Sequence, residues 1–262
     1  MSPAAIARSP IVPLLAEPTL RAEQVSQLVL GETARVLESN GDWRRLRTDY
    51  DGYEGWAHGG YIVEVEESAA ERWKSDATAW SLGGAIRIGE RTMRIPLRAR
   101  VCIEGATVRL PDGRHGPLVE GSVPRASELA ASALRKTPES WALEHFSGTS
   151  YQWGGVTPWG VDCSGLIQTT FAARGVKLPR DSSQQVACGV EVSADALQAG
   201  DLLFFRGETT TAITHVAFAG QADGLVHSTV ACGGVLAESW LPGTRAAPLR
   251  ARLVAARRLE QR

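Results

Sequence analysis

Residues 160–171 read GVDCSGLIQTTF, a small and turn-prone entry followed by an apolar periodic run that starts at a cysteine. The apolar positions recur at three- and four-residue spacings, as on one face of a helix: Leu166, Ile167, Thr170 and Phe171. Gly175 predicts the end of that helix a few residues later. Cys163 is therefore expected in the first turn of a helix of roughly three turns.

The predicted position of Cys163 favours nucleophilic chemistry. The N–H groups and the dipole at the start of a helix stabilise an anion, and a thiol pKa of ~8.5 can fall to roughly 3.5–7.5 there, above all beside an imidazolium. A thiolate is a strong nucleophile suited to covalent catalysis. The alternative is that Cys163 is only a small buried apolar side chain, which is the commoner role of a single cysteine.

Composition and charge exclude several classes of protein. A hydrophobic content of 44% with 22% charged residues is typical of a soluble globular chain, and 262 residues can hold two or three domains. The net charge of −1 gives no reason to expect nucleic acid or an anionic membrane as a partner. No cofactor motif is found.

The cysteines and the N-terminal residues indicate a reducing compartment. The four cysteines are widely spaced and show neither metal-type pairing nor a disulfide framework. Residues 1–10 lack the basic start and apolar core of a signal peptide, and no apolar run approaches the ~20 residues that cross a bilayer. We therefore expect a cytoplasmic protein.

The N-terminal half is rich in short strand patterns. Residues 1–65 contain several of them, with Asp51-Gly52 as a tight turn, and predict a small barrel that resembles bacterial SH3-like domains. Residues 66–124 begin with a charged, alanine-rich connector and continue as a second, more divergent SH3-like barrel in which Cys102 is a core residue. Residues 125–262 place helices before an antiparallel run of strands, the last of which is expected at 249–254, and this is an α+β arrangement.

Two histidines complete a candidate catalytic group with Cys163. His215 lies in a predicted strand, on the face that also carries two alanines, and His227 begins the next strand twelve residues later. Neighbouring antiparallel strands would bring the two rings within hydrogen-bonding reach. We assign Cys163 as nucleophile, His215 as base and then acid, and His227 as the residue that orients His215. A zinc site made of the same three residues would need a further ligand that the sequence does not offer.

The motifs around these residues resemble the NlpC family of papain-like cysteine peptidases, which cut bacterial cell-wall peptides. They occur in order over residues 123–262: Tyr151-x-Trp153-Gly154-Gly155, Asp162-Cys163-Ser164-Gly165-Leu166, Leu178-Pro179-Arg180-Asp181, Gly200-Asp201-Leu202, Thr214-His215-Val216 and His227-Ser228. With two SH3-like barrels in front, the chain is similar to γ-D-glutamyl-L-diamino acid endopeptidases. The resemblance implies hydrolysis of the γ-D-Glu–diamino acid bond in murein peptides with a free N-terminal L-Ala, without a metal.

The resemblance also implies a set of substrate-binding residues. Tyr53 of the first barrel, together with Asp181 and Ser182, matches the residues that hold the substrate's N-terminal amine in that group. Asp162 and Ser164, on either side of the cysteine, are assigned to substrate binding as well.

One position departs from the family pattern. Some relatives have an acid directly before the Ser/Thr-Gln pair of the first barrel, where this chain has Val25, with Glu23 two residues earlier. Whether Glu23 takes that role stays open.

The sequence thus predicts an α+β papain-like catalytic domain behind two small β-barrels, acting as a cysteine endopeptidase in murein peptide recycling. A broader hydrolase of intact wall, a wall-binding protein without activity and an acyltransferase on the same fold are the alternatives. Presence of Cys163, His215 and His227 together argues against an inactive protein.

Overall fold

A computed structural model describes residues 3–259 of the chain, in two compact units, Met1–Leu129 and Ala130–Arg262. The predicted domain limits at 65/66 and 124/125 stay predictions, and their outermost residues 1, 2 and 260–262 lie outside the described part. Within that part, no helix has the length and apolar character needed to span a bilayer.

The first unit opens with a seven-stranded antiparallel sheet in the order β3-β2-β6-β5-β4-β1-β7. Its strands are β1 (Pro3–Ala7), β2 (Ile11–Leu15), β3 (Gln24–Val29), β4 (Thr33–Asn40), β5 (Trp43–Thr48), β6 (Glu54–His58) and β7 (Ile62–Glu66). The predicted turn at Asp51-Gly52 joins β5 to β6, with Gly52 at φ 74°. Alternate side chains meet inside, so that Val12, Leu14, Leu28 and Leu46 form one buried cluster.

The predicted connector after this sheet is a helix, α1 (Glu67–Asp76). Ala70 and Trp73, three residues apart, are buried on one side, while the charged residues that suggested a linker face away from the core. Trp73 packs with Ile6, Ala77 and Cys102, which puts Cys102 in the core as expected. The charged residues that suggested a connector therefore belong to the exposed face of α1.

A closed four-stranded barrel follows, in the order β10-β11-β8-β9. Its strands are β8 (Ala79–Ile88), β9 (Arg91–Glu104), β10 (Thr107–Arg109) and β11 (His115–Gly121). The sequence indicated only parts of the two long strands, because Pro96 and the glycines at 83 and 84 interrupt their patterns. Arg98, at φ 81°, is buried against Glu32 with a 2.6 Å contact between Nε and Oε1.

Helices come next along the chain, as the sequence predicted. They are α2 (Ala126–Ala133), α3 (Pro138–Phe146), α4 (Cys163–Ala173) and the short α5 (Ser182–Gln185), with a two-stranded ribbon of β12 (Val156–Thr157) and β13 (Gly160–Val161) before α4. Pro138 stands at the start of α3, where its missing N–H costs nothing.

A six-stranded antiparallel sheet completes the second unit, in the order β14-β19-β15-β16-β17-β18. Its strands are β14 (Val190–Glu191), β15 (Leu202–Arg206), β16 (Ile213–Ala219), β17 (Gly224–Thr229), β18 (Gly234–Ser239) and β19 (Leu253–Arg258). Helix α4 packs on this sheet, with the rings of Phe171 and Phe218 6.0 Å apart.

One strand prediction for this sheet needs correction. The expected last strand at 249–254 is mostly a 3₁₀ helix, Ala247–Arg252, and the strand begins only at Leu253. Pro248 at the start of that helix fixes its own backbone φ and supplies no N–H for a ladder. Strand β18 was not predicted at all.

Candidate active site

Helix α4 is buried on nearly all its sides, and its first residue is Cys163. The side chains of Leu166 and Ile167 are fully inaccessible, and each contributes about 1.5–3 kcal/mol through burial. Asp162 is the N-cap, where its Oδ1 accepts a 2.7 Å hydrogen bond from the Gly165 N–H. The cap and the buried helix fix the sulfur of Cys163, which is 7% exposed.

Arg180 holds the cap from the other side. Its Nη2 lies 2.5 Å from Oδ2 of Asp162, and its Nη1 lies 3.1 Å from Oδ1 and 2.7 Å from the Ser164 hydroxyl. Oδ2 of Asp162 also accepts from the Gly154 N–H at 2.8 Å. Both oxygens of Asp162 and the hydroxyl of Ser164 are thereby used inside the protein. These contacts give Asp162 and Ser164 a structural role at the start of α4, and their predicted roles in substrate binding stay predictions.

The sheet and helix α5 are each tied to the start of α4 by a side-chain hydrogen bond to the backbone. Ser228, next to His227 in β17, donates to the carbonyl of Val161 at 2.7 Å. Gln185 of α5 donates to the carbonyl of Ser164 at 3.0 Å. These buried bonds keep the helix start and the histidine strand in a constant relation.

His215 and His227 form a direct contact, as their spacing predicted. Nε2 of His215 lies 2.8 Å from Nδ1 of His227, and the rings are 5.0 Å apart in an edge-on arrangement. The strands pair Phe218 with Val226 and Ala219 with Leu225, so the two histidines are diagonal rather than opposite on a shared face.

The chain of contacts continues beyond the predicted residues. Nε2 of His227 lies 2.6 Å from Oε1 of Glu238, and Arg245 binds the same carboxylate through Nε at 3.1 Å and through Nη2. Glu238 can only accept, so His227 carries its hydrogen on Nε2 and offers a lone pair at Nδ1. His215 then donates from Nε2, which leaves its Nδ1 as a base.

Burial acts on both candidate catalytic groups in favour of their neutral forms. It raises the pKa of the Cys163 thiol to about 12, with the negative charge of Asp162 adding to the effect, while N–H groups of Val216 and Ser164 directed at the sulfur oppose it. Burial lowers the pKa of His215 to about 3, helped by His227, Arg252 and Arg245. The expected lowering of the thiol pKa at the helix start is thus outweighed by desolvation.

One cavity of about 400 Å³ brings the three predicted catalytic residues together. Cys163, His215 and His227 all line it, and so does Tyr151 from the first of the sequence motifs. Burial and the nearby Cys163 raise the pKa of the Tyr151 hydroxyl. A substrate carbonyl in this cavity would meet a thiol, an imidazole base and the N–H groups at a helix start.

The residues predicted to bind the substrate amine lie in both units. Asp181 is at the N-cap position of α5 without a capping side-chain bond, and Ser182 is buried at the first position of that helix. Tyr53 lies half-buried in the turn before β6, where its N–H donates to the Thr48 hydroxyl at 3.0 Å. Glu23 is exposed before β3. Their roles toward a substrate stay predictions.

The other three cysteines are not part of the cavity lining. Cys188 and Cys232 are free thiols at or near the surface, and Cys102 is in the core of the first unit. Across residues 3–259, no three or more His, Cys, Asp or Glu side chains are grouped so that they could hold a metal ion.

Sequence reasoning missed Glu238 and Arg245. Both follow His227 in the chain, and β18 carries Glu238 back beside β17 with Leu236 opposite His227. A strand pattern at Gly234–Ser239 would have been the signal for Glu238, since it lies one hairpin after His227. Arg245 lies in a loop, and no local pattern points to it.

Comparison with known proteins supports the architecture. Residues 148–243 match the sequence profile of the NlpC/P60 family, and residues 12–63 match that of the bacterial SH3 domain. The chain is 20% identical to a solved NlpC/P60 family protein from Bacillus cereus ATCC 10987, with a TM-score of 0.77 over 97% of this chain and 99% of that one. The shared fold confirms the predicted papain-like α+β domain with an SH3-like barrel before it.

Two curated relatives extend the comparison. Over 224 residues the chain is 28% identical to a gamma-D-glutamyl-L-lysine dipeptidyl-peptidase of Bacillus subtilis (strain 168), covering 78% of this chain and 71% of the relative. Over 92 residues it is 35% identical to the probable endopeptidase NlpC of Escherichia coli (strain K12), covering 35% of this chain and 60% of the relative.

Proposed function

We propose that this chain, which carries an NlpC/P60 domain behind a bacterial SH3 domain, is a cysteine endopeptidase of murein peptides. The 2.8 Å contact between His215 and His227, in the cavity that also exposes Cys163, is the observation that carries the proposal. The bond cut is the γ-D-glutamyl amide to a diamino acid. The similarity to a gamma-D-glutamyl-L-lysine dipeptidyl-peptidase supports this substrate class.

Acylation starts with two neutral groups. Nδ1 of His215 takes the thiol proton of Cys163 as the sulfur attacks the γ-carbonyl carbon, so that the imidazolium and the oxyanion form together. The N–H groups at the start of α4 stabilise the oxyanion. When the tetrahedral intermediate collapses, the C–N bond breaks, His215 gives the proton to the leaving amine, and a thioester remains on Cys163.

Deacylation runs through the same two residues. His215 removes a proton from water, the hydroxide adds to the thioester carbon, and the C–S bond breaks as the sulfur takes the proton back. The products are a glutamyl carboxylic acid and a free amine, and the enzyme returns to its neutral form. His227 and Glu238 hold the ring of His215 in one tautomer during both steps.

The setting of the reaction is part of the proposal. Small peptides with a free N-terminal L-Ala, released during turnover of the wall, are the preferred substrates, and a cytoplasmic location follows from that role. Asp181 and Ser182 bind the alanine ammonium, because a carboxylate and a hydroxyl make charge-assisted hydrogen bonds to it. Tyr53 is proposed to take part on the strength of the family resemblance alone.

Mass spectrometry of the products tests the function. Purified protein is incubated with L-Ala-γ-D-Glu-diaminopimelate and, separately, with intact wall sacculi. Release of L-Ala-D-Glu from the tripeptide alone is expected, while release from sacculi would favour the broader wall hydrolase. An added amine that is captured in place of water would identify an acyltransferase.

A further inference from the structure

The cavity beside Cys163 and His215 contains charged side chains that the mechanism does not use. Arg252, at the end of the 3₁₀ helix Ala247–Arg252, lines it together with Glu208 from the loop after β15. Arg245 lines it too, but its guanidinium is bound to Glu238. Arg252 and Glu208 are therefore the charges that a ligand in this cavity can reach.

The ion pair between Arg252 and Glu208 joins an anchored arginine to an exposed glutamate, so a ligand can replace the glutamate. Nε of Arg252 is anchored on the carbonyl of Arg206 at 2.9 Å, and the arginine side chain is only 21% exposed. Its Nη1 contacts Oε1 of Glu208 at 3.3 Å, and the glutamate side chain is 82% exposed. An exposed ion pair contributes little to the stability of a protein. A ligand carboxylate can therefore replace Glu208 at little cost in free energy, while the guanidinium of Arg252 stays in place.

The proposed proton transfer from His215 places the leaving group near Arg252 and Glu208. His215 gives its proton to the departing amine, so the amino acid that contains this amine must lie against His215. The positive charges of Arg245 and Arg252 are close enough to this imidazole to lower its pKa. The leaving amino acid thus emerges beside a guanidinium.

We propose that Arg252 binds the α-carboxylate of the leaving amino acid and that Glu208 binds its distal ammonium. This subsite rests on the proposed function and states which leaving group it prefers. A diamino acid with a free α-carboxylate carries one negative and one positive group, and it matches the two charges of the opened ion pair. Arg252 is suited to the carboxylate because a guanidinium can bind it through two parallel hydrogen bonds.

Three peptides separate the two contacts. They are L-Ala-γ-D-Glu-L-Lys, its C-terminal amide, and its Nε-acetyl derivative. For the wild-type protein, kcat/KM is expected to fall about 10- to 100-fold for the amide, the range that a lost charge-assisted hydrogen bond corresponds to. It is expected to fall by a smaller factor for the acetyl derivative, because Glu208 is the more exposed partner.

Variants assign each effect to one residue. Arg252→Gln should bring the ratio of kcat/KM for the free acid to kcat/KM for the amide close to one, and Arg252→Lys should retain part of the wild-type preference for the acid. Glu208→Gln should remove the effect of Nε-acetylation on kcat/KM. Arg250→Gln is the matched control, since Arg250 belongs to the same 3₁₀ helix but pairs with Asp223 at 2.6 Å and is not part of the cavity lining. It should keep the wild-type ratios.

The outcomes distinguish this subsite from the proposed function. Equal cleavage of acid and amide by the wild-type protein would overturn the subsite while the endopeptidase activity stands, and so would a wild-type ratio in Arg252→Gln. The wild-type comparison does not depend on how any variant folds. A wild-type protein that cleaves neither these three peptides nor L-Ala-γ-D-Glu-diaminopimelate would contradict the proposed function, and the subsite with it.

Discussion

Glu238 accepts a 2.6 Å hydrogen bond from His227, and through it the carboxylate determines which nitrogen of His215 carries a hydrogen. Glu238→Ala should lower kcat about 10- to 100-fold, as the loss of a carboxylate behind a functional histidine commonly does, and should leave KM near the wild-type value. Glu238→Gln keeps an accepting oxygen and should recover part of the loss. Steady-state kinetics over a range of pH measures both effects.

A matched control for Glu238 is Glu191, an exposed glutamate on the edge strand of the same sheet. Glu191→Ala should behave as the wild type. An unchanged kcat in Glu238→Ala would mean that His227 keeps its tautomer without the carboxylate.

The thiol of Cys163 is expected to be indispensable, because it is the cysteine that shares a cavity with both histidines. Cys163→Ala should reduce turnover by several orders of magnitude, as the loss of a nucleophile does in a triad. Replacing Cys102, Cys188 or Cys232 with alanine should retain most of the activity. Cleavage of the tripeptide, followed by mass spectrometry, compares the four variants. Turnover by Cys163→Ala at the wild-type rate would remove the covalent mechanism.

The buried imidazole of His215 should make stability depend on pH. Its pKa falls from 6.5 to about 3 in the folded protein, so below pH 6.5 the unfolded chain binds a proton that the folded chain does not. The contribution of the neutral His215 to the free energy of unfolding is complete above pH 6.5. It is lost as pH falls toward 3, at up to about 1.4 kcal/mol per pH unit. Stability should therefore decrease on acidification.

Urea unfolding of the wild type and of His215→Asn between pH 5 and pH 8 checks this sign. The variant lacks the titrating group, so the difference in unfolding free energy between the two proteins should shrink by about 2 kcal/mol as pH falls to 5. A difference that stays constant over this range would show that His215 is freely protonated in the folded state.

The ion pair of Arg180 and Asp162 is expected to matter for stability more than for binding. The side chains are only 2% and 6% exposed, so removing one partner leaves a buried charge uncompensated. Arg180→Met should lower the free energy of unfolding by about 3–5 kcal/mol. The double variant Arg180→Met/Asp162→Asn should be less destabilised than the sum of the single variants, which denaturant titration can measure. Additive effects would argue against a direct coupling.

The proposed role of Asp181 predicts a preference for a free N-terminus. Acetylation removes the ammonium of L-Ala and should lower kcat/KM by about 100-fold, equivalent to roughly 2.8 kcal/mol of charge-assisted hydrogen bonds. Asp181→Asn should lower kcat/KM for the free tripeptide, and the difference in kcat/KM between the free and the acetylated tripeptide should become smaller. Asp195 is an exposed aspartate in the 3₁₀ helix Ala194–Ala196, and Asp195→Asn is the control. Equal cleavage of both peptides by the wild type would refute the amine site.

Local patterns were sufficient for the parts of the site that lie within one element or one hairpin. An apolar repeat predicted a helix with Cys163 in its first turn, and alternation with a twelve-residue spacing predicted that His215 and His227 meet. Such patterns are visible in a sequence because neighbours along a helix or a hairpin are separated by a constant number of residues. The charged stretch at 67–76 was less readable, because an amphipathic helix and a linker share its composition.

The pKa of the Cys163 thiol and the positions of Glu238 and Arg252 depended on tertiary structure. The sequence determined that a cysteine stands at a helix start, whereas only packing decided that desolvation there outweighs the helix and raises the thiol pKa. Glu238 reaches His227 through an unpredicted strand, and Arg252 reaches the cavity from a 3₁₀ helix where a strand was expected. Burial and long-range contacts sum over residues distant in the chain, so no local pattern records them.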